Sequence, residues 1–508
     1  MASGYRTLAA GIACLLSSTA ATGQTPPQVR TAGGIVQGVA GADGTVFKGI
    51  PYAAPPIGAK RWRSPEPAPG WSGVRSADSY GPPCAQAALR GMTAVSGISR
   101  EDCLYLNVWT PGAGRSSSNM RRPVMLWIHG GGFVNGSGTS PTFDGSRFAA
   151  QGIVLVTINY RLGVFGFLAH PDLTKRSPHG SSGNFGLEDQ IAALRWVRAN
   201  IAAFGGDPSN ITIFGQSAGG ASVLDLVASP RAHGLFARAI IQSGAAREAI
   251  APVPLAQAER TGAALAGEGG IAALAALDTA AVGALVDAAP RGAVRFGPVI
   301  DGYVLPRAPM TVLADPAAPK VPLLIGSNAR EALGVVAEPD FDAAVRQAFG
   351  HNADAALARY RANGDDPVLG TAAQQFATDV TFRCGAVAAV SRAAGRGLPT
   401  WQYQFEQSVP GREAQGAAHS VEAPYVFGTL SPTGFSGAPY TDADRRLSAL
   451  MTRYWANFAR TGDPNGPGLP RWPRFTSSEP RYVRFSTALP GDVQTARDLR
   501  GEVCRLFP

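Results

Sequence analysis

The sequence predicts an α/β fold, with a large, mostly parallel central sheet flanked by helices and overlaid by helical insertions. Three observations lead there. Four largely apolar runs, Val124–Ile128, Ile153–Ile158, Ile211–Phe214 and Val321–Ile325, are each bounded by turn residues. Such runs read as strands buried on both faces of a parallel sheet. Helical patterns lie between them, and strands alternating with helices call for right-handed crossovers. Hydrophobic residues make up 45% of the chain and charged residues 16%, which is apolar enough for a large core and too uncharged for disorder.

The elements follow in order. Arg6 precedes a short apolar stretch, Leu8–Leu16, and the small residues Ala21-Thr22-Gly23 precede Gln24. That is the layout of a secretory signal peptide over residues 1–23, too short to span a membrane. Cys14 lies inside the apolar stretch after Gly11-Ile12-Ala13, a poor lipidation site. The Gly- and Pro-rich region Thr31–Trp71 reads as short antiparallel strands, and Asn107–Thr110 continues the pattern. Leu187–Asn200 carries Ile191, Leu194, Trp196 and Val197 at helical spacing with Arg195 and Arg198 between them. Ala218–Val227 is a helix after a tight turn. The Ala-rich stretches Ala251–Ala289 and Asp340–Asn363, together with Asp442–Thr461, read as helices forming lids and walls. At 508 residues the length alone would allow several domains. No repeat or strong linker divides the chain, so residues 24–508 read as one catalytic domain. No run after the leader is long and apolar enough to cross a membrane.

The formal charge is +9, carried mostly by scattered Arg with only four Lys. Without a dense basic block interleaved with aromatics, a nucleic-acid partner is not expected. The charge speaks to solubility and steering. Four cysteines remain after the leader: Cys84, Cys103, Cys384 and Cys504. An even count in an exported chain suggests disulfides, and spacing alone does not choose among three connectivities, although Cys84 and Cys103 are the local pair. With no Cys-x-x-Cys and no His-Glu-x-x-His, neither a metal nor a cofactor is expected.

Gly215-Gln216-Ser217-Ala218-Gly219 fits Gly-x-Ser-x-Gly, with an apolar strand before it and a helix after it. That context is what the motif needs, because it lifts a serine on a strained elbow above the sheet of an α/β-hydrolase fold. Ser217 is therefore the candidate nucleophile. His129-Gly130-Gly131-Gly132-Phe133 follows another strand, and the N–H groups of Gly131, Gly132 and Ala218 are the candidate oxyanion hole. A serine hydroxyl needs a base to take its proton. In this fold the order is Ser, acid, His, which removes His129, His170 and His179. His233 follows the nucleophile too closely to leave room for an acid, and His351 sits in an Ala-rich helical stretch. His419, in the small-residue loop Gly416–Ser420, is the candidate base. Glu331 is the first carboxylate after the strand Val321–Ile325 and is the candidate acid that orients the imidazole.

With these motifs the chain resembles the type-B carboxylesterase and cholinesterase family. The resemblance runs through Phe47–Ala53, Glu101–Val108, Asn159–Gly163, Phe204–Pro208 and Phe458–Asn465. It implies a glutamate acid at Glu331, a base within His419–Tyr425, and the bridges Cys84–Cys103 and Cys384–Cys504. Two departures stand out. Relatives carry Asp-Glu-Gly around the acid, whereas here it is Arg330-Glu331-Ala332. The stretch between Cys84 and Cys103 contains no aromatic residue, so there is no ring there to stack a choline ammonium. The chain is more similar to bacterial carboxylesterases of the p-nitrobenzyl esterase type. The expected reaction is two-step hydrolysis of a small-molecule ester through an acyl-enzyme. The family also holds adhesion modules that have lost catalytic residues, but here all of them remain. Amidase, thioesterase or transacylase chemistry would use the same triad.

Overall fold

The computed structural model describes Met1 and residues 26–86, 98–111, 121–245, 250–290, 294–331, 340–431 and 437–507. Residues 2–23 of the expected signal peptide and its cleavage site before Gln24 lie outside the described residues, as does Ala332.

Among the described residues there are sixteen strands. In chain order they are β1 (Gln28–Thr31), β2 (Gly34–Gln37), β3 (Val39–Gly41), β4 (Gly44–Pro51), β5 (Val74–Ser76) and β6 (Tyr105–Thr110). There follow β7 (Arg122–Ile128), β8 (Val154–Ile158), β9 (Gly206–Gln216), β10 (Arg238–Gln242), β11 (Val253–Pro254) and β12 (Val299–Ile300). The last are β13 (Leu323–Asn328), β14 (Thr400–Phe405), β15 (Arg481–Phe485) and β16 (Val493–Arg497). Eleven of them form one sheet in the order β16-β15-β14-β13-β10-β9-β7-β8-β6-β4-β3. Its middle, from β15 to β8, is parallel throughout. Both margins are antiparallel. Among the first strands, β1 pairs with β2 antiparallel as expected, but β5 runs parallel to β2.

The apolar runs are continuous because the sheet is covered twice. Val124, Leu126 and Ile128 of β7 join one core with Ile213, Ile241 and Ile325, roofed by the helices Phe185–Asn200 and Ala218–Ala228. The alternate residues Met125 and Trp127 join a second core with Phe214, Ile240 and Leu324. Successive side chains on a strand point to opposite faces, so a strand between two cores is apolar at every position.

The helix Asp442–Thr461 closes that second core. Leu447, Met451, Trp455 and Phe458 are fully buried in it beside Trp127 and Phe214. It is therefore a sheet-flanking helix and not a lid, a distinction that an amphipathic pattern does not carry. The Thr441 hydroxyl and the Asp444 carboxylate cap its start reciprocally. Ala251–Ala289 breaks into three helices, Leu255–Ala266, Gly270–Ala276 and Thr279–Ala288. The stretch Asp340–Asn363 gives two, Phe341–Phe349 and Ala353–Asn363, which share a small core with Phe376 and Val503. Strands β10 and β14–β16 were not anticipated. Each is bounded or interrupted by polar or charged residues (Arg238 and Gln242 in β10, Gln402 and Gln404 in β14, Arg484 in β15, Gln494 and Thr495 in β16), so none forms a continuous apolar run.

Both bridges form. The Cα atoms of Cys84 and Cys103 are 4.8 Å apart and those of Cys384 and Cys504 are 4.9 Å apart. Among the described residues no helix is long and apolar enough to cross a membrane.

Candidate active site

Ser217 stands between the end of β9 and the helix Ala218–Ala228, with φ 56° and ψ −126°. A non-glycine residue rarely adopts that conformation, and the strain marks a site that the surroundings over-determine. The close packing that imposes it needs glycine. A Cβ on Gly219 would lie 2.0 Å from the Ile128 carbonyl oxygen, and one on Gly215 would lie 2.4 Å from that of Gly219. The Ser217 N–H donates to the Gln242 carbonyl at 2.9 Å, which ties the elbow to β10.

The glycine loop lies beside it. Gly131 and Gly132 have φ of 112° and 63°, and their N–H groups donate to no protein group among the described residues. Ala218 heads its helix, where the first N–H groups have no intrahelical acceptor and the dipole favours negative charge. His129 is an internal brace of this loop. Its Nδ1–H donates to the Gly130 carbonyl at 2.8 Å, its ring stacks on Tyr160, and the Tyr160 hydroxyl donates to its carbonyl. Burial pushes His129 down to about 4, so it stays neutral.

Glu331 and His419, the candidate acid and base, lie within hydrogen-bond distance. His419 Nδ1 lies 2.6 Å from Glu331 Oε2. Glu331 is buried, and its Oε1 accepts from the Ser243 hydroxyl at 2.5 Å and from the Asn328 N–H at 2.6 Å. Glu331 is set by the end of β13, which runs on through Ser327 and Asn328; these two are rungs of the strand and not its exit loop. Burial lowers the pKa of His419, but the Glu331 hydrogen bond and the charges of Glu331 and Glu422 outweigh it, so the net shift is upward. His419 Nε2 lies 3.2 Å from the side-chain nitrogen of Gln216, the residue before Ser217. The second nitrogen of His419 therefore faces the elbow, and in this structure its partner is the Gln216 amide and not the serine hydroxyl. Catalytic hydrogen bonds often tighten only when substrate is bound.

The amide and the carboxylate select one tautomer between them. Gln216 offers an N–H, so Nε2 must accept; Glu331 offers lone pairs, so Nδ1 must carry the proton. Neutral imidazole with its proton on Nδ1 is the form that can take a proton at Nε2.

Sequence reasoning missed the supports. Glu422 is a second buried carboxylate, accepting from Gln242 Nε2 at 3.2 Å and from Asn328 Nδ2 at 2.7 Å. Burial, and then the Glu331 charge, raise its pKa. Asn328 Nδ2 also donates to the Ala418 carbonyl, anchoring the His419 loop to β13. The Trp455 indole N–H donates to Gln242 Oε1 and locks that amide. The one sequence signal for Glu422 was its place three residues after His419. Ser243 had none, because the strand it follows was not seen.

A model of the carboxylesterase family matches residues 25–507. The chain is 39% identical over 471 residues to the fumonisin B1 esterase of Sphingopyxis macrogoltabida, covering 89% of this chain and 85% of that protein. It is 37% identical over 485 residues to the para-nitrobenzyl esterase of Bacillus subtilis (strain 168), covering 91% and 94%. Among solved structures, a Geobacillus stearothermophilus carboxylesterase at pH 6.2 superposes with a TM-score of 0.82 at 34% identity, over 95% of this chain and all of that one. A PNB esterase superposes with a TM-score of 0.80 at 35% identity and the same coverage.

Proposed function

Because the chain belongs to the carboxylesterase family and is a carboxylic ester hydrolase, we propose that Ser217 is its nucleophile, His419 its general base and Glu331 the acid of the triad. The N–H groups of Gly131, Gly132 and Ala218 form the oxyanion hole. The observation that carries this reading is the chain of contacts from the Ser243 hydroxyl through Glu331 to His419, whose other nitrogen faces the strained serine.

The hydroxyl of Ser217 attacks the acyl carbon of a small-molecule ester while His419 Nε2 takes its proton. The carbonyl oxygen becomes negative and rests on the three N–H groups, each of which is worth about 3–4 kcal/mol in a hole of this kind. His419 then passes the proton to the departing alcohol, leaving an acyl-enzyme. Water, deprotonated by the same nitrogen, attacks that ester, and the acid leaves as Ser217 recovers its proton. Glu331 stabilises the imidazolium in both steps without taking its proton. Residues 24–508 form the catalytic domain, and residues 1–23 are a signal peptide cleaved near Gly23, which sends the enzyme to the periplasm or medium. The two disulfides support that destination.

The test is hydrolysis of p-nitrophenyl esters from acetate to decanoate by the parent and by Ser217→Ala. Activity that vanishes in the variant supports the assignment, and the chain-length optimum sizes the acyl pocket. Equal activity in both proteins overturns it.

A further inference from the structure

We infer that Phe382 is a positioning residue for His419, and that its ring, carried on a π-helical turn, fixes the plane of the imidazole while Nε2 changes partner. The inference rests on the reading of His419 as the base.

His419 sits in an irregular loop followed by Ser420 at φ 72°. The loop backbone is pinned by Arg330 N–H on the Ala417 carbonyl and by Asn328 on the Ala418 carbonyl. The ring has two in-plane contacts, Glu331 at Nδ1 and Gln216 at Nε2. To take the serine proton, Nε2 must leave the Gln216 amide. While Nε2 is between partners only the Glu331 hydrogen bond remains, and the plane of the imidazole can rock about its Cβ–Cγ bond. Phe382 removes that freedom. Its ring lies parallel to the imidazole, with centroids 4.6 Å apart and planes 18° apart.

Phe382 is itself firmly held. Residues Asp379–Arg383 form a π-helical turn between the helices Ala372–Thr378 and Cys384–Gly395, and the Cys384 N–H reaches back five residues to the Asp379 carbonyl. Such turns are uncommon and recur at functional sites. Buried charges brace this one: Asp379 pairs with Arg383 and, at 2.9 Å, with Arg500. The Tyr360 hydroxyl also donates to Asp379. Arg383 in turn donates to the Ala329 carbonyl, two residues before Glu331. The next residue, Cys384, is bridged to Cys504. One rigid turn thus touches both the segment bearing the acid and the face of the base.

The experiment compares the full-length parent with Phe382→Leu, Phe382→Tyr and His419→Ala, reading kcat and KM on a p-nitrophenyl ester, thermal unfolding, and the low-field proton resonance of the His419 Nδ1–H. Leucine keeps apolar bulk but offers no flat face. Phe382→Leu is expected to lower kcat by about ten- to a hundredfold, with KM within about twofold of the parent, and to broaden the low-field signal. Phe382→Tyr, which keeps a flat ring, is expected to recover most of kcat. A folded leucine variant with kcat within about twofold of the parent overturns the inference, and so does a tyrosine variant no better than the leucine one. If the leucine chain does not fold, Phe382→Met carries the same comparison. Activity retained in His419→Ala would instead remove the triad reading itself, whereas an inactive His419→Ala beside an unimpaired Phe382→Leu removes only the role of Phe382.

Discussion

Replacing Glu331 by glutamine should cripple catalysis by selecting the wrong tautomer of His419, although the side chain keeps its size and shape and loses only its charge and one acceptor oxygen. Both donors on Oε1, the Ser243 hydroxyl and the Asn328 N–H, demand an acceptor there. The amide oxygen of the new glutamine must take that place, which turns its NH2 toward His419 Nδ1. A donor then faces Nδ1, so Nδ1 must accept and the ring proton moves to Nε2, where no proton can be received from Ser217. An uncharged replacement of this kind in a serine triad costs about ten-thousandfold in kcat, or roughly 5.4 kcal/mol of barrier at 1.36 kcal/mol per decade. The pH profile adds an independent readout. Glu331 supplies the two largest influences raising the His419 pKa, against burial, which lowers it. With the neutral ring as the form that accepts the serine proton, the acidic limb of kcat/KM in the parent should lie above the ordinary histidine value, and in Glu331→Gln it should move to lower pH. Steady-state kinetics across pH on p-nitrophenyl acetate check both. A folded variant within tenfold of the parent, with its acidic limb unmoved, would refute the argument.

Other changes have separable outcomes. Glu422→Gln removes a smaller raising influence on His419, so its acidic limb should move to lower pH but less far than in Glu331→Gln. Gly131→Ala and Gly132→Ala should differ in stability, as thermal unfolding would report. A Cβ on Gly131 would lie 2.1 Å from the Asn135 carbonyl oxygen, whereas one on Gly132 meets only Val134 at 3.8 Å; the latter costs about 1–2 kcal/mol from the left-handed backbone alone. Removing Cys384–Cys504 by paired alanines should destabilise the chain by about 2–5 kcal/mol, and more than removing Cys84–Cys103. Its loop spans 120 residues against 19, so guanidinium unfolding with the reverse ranking would count against a loop-entropy origin.

Local patterns in the sequence determined much of this protein. Apolar runs marked β7, β8, β9 and β13 because a strand covered on both faces must be apolar at every position. The strained serine was legible because the elbow needs Gly215 and Gly219 against Ile128. Chain order singled out Glu331 and His419, which the fold brings within hydrogen-bond distance, and the motifs around them carried the family. What lay beyond the sequence was most of what depends on which distant elements touch without a motif to mark them. The helix Asp442–Thr461 reads the same whether it caps a lid or a sheet, and only packing makes Trp455 a partner of Gln242. Ser243, Asn328 and Glu422 are ordinary polar residues in one dimension. They become supports of the proposed triad only because β10, β13 and the His419 loop converge, and burial then obliges each polar atom to find a partner. Phe382 likewise reads as one more core aromatic until a π-helical turn lays it against the base, since ring stacking is set by tertiary geometry and leaves no periodic trace in the chain.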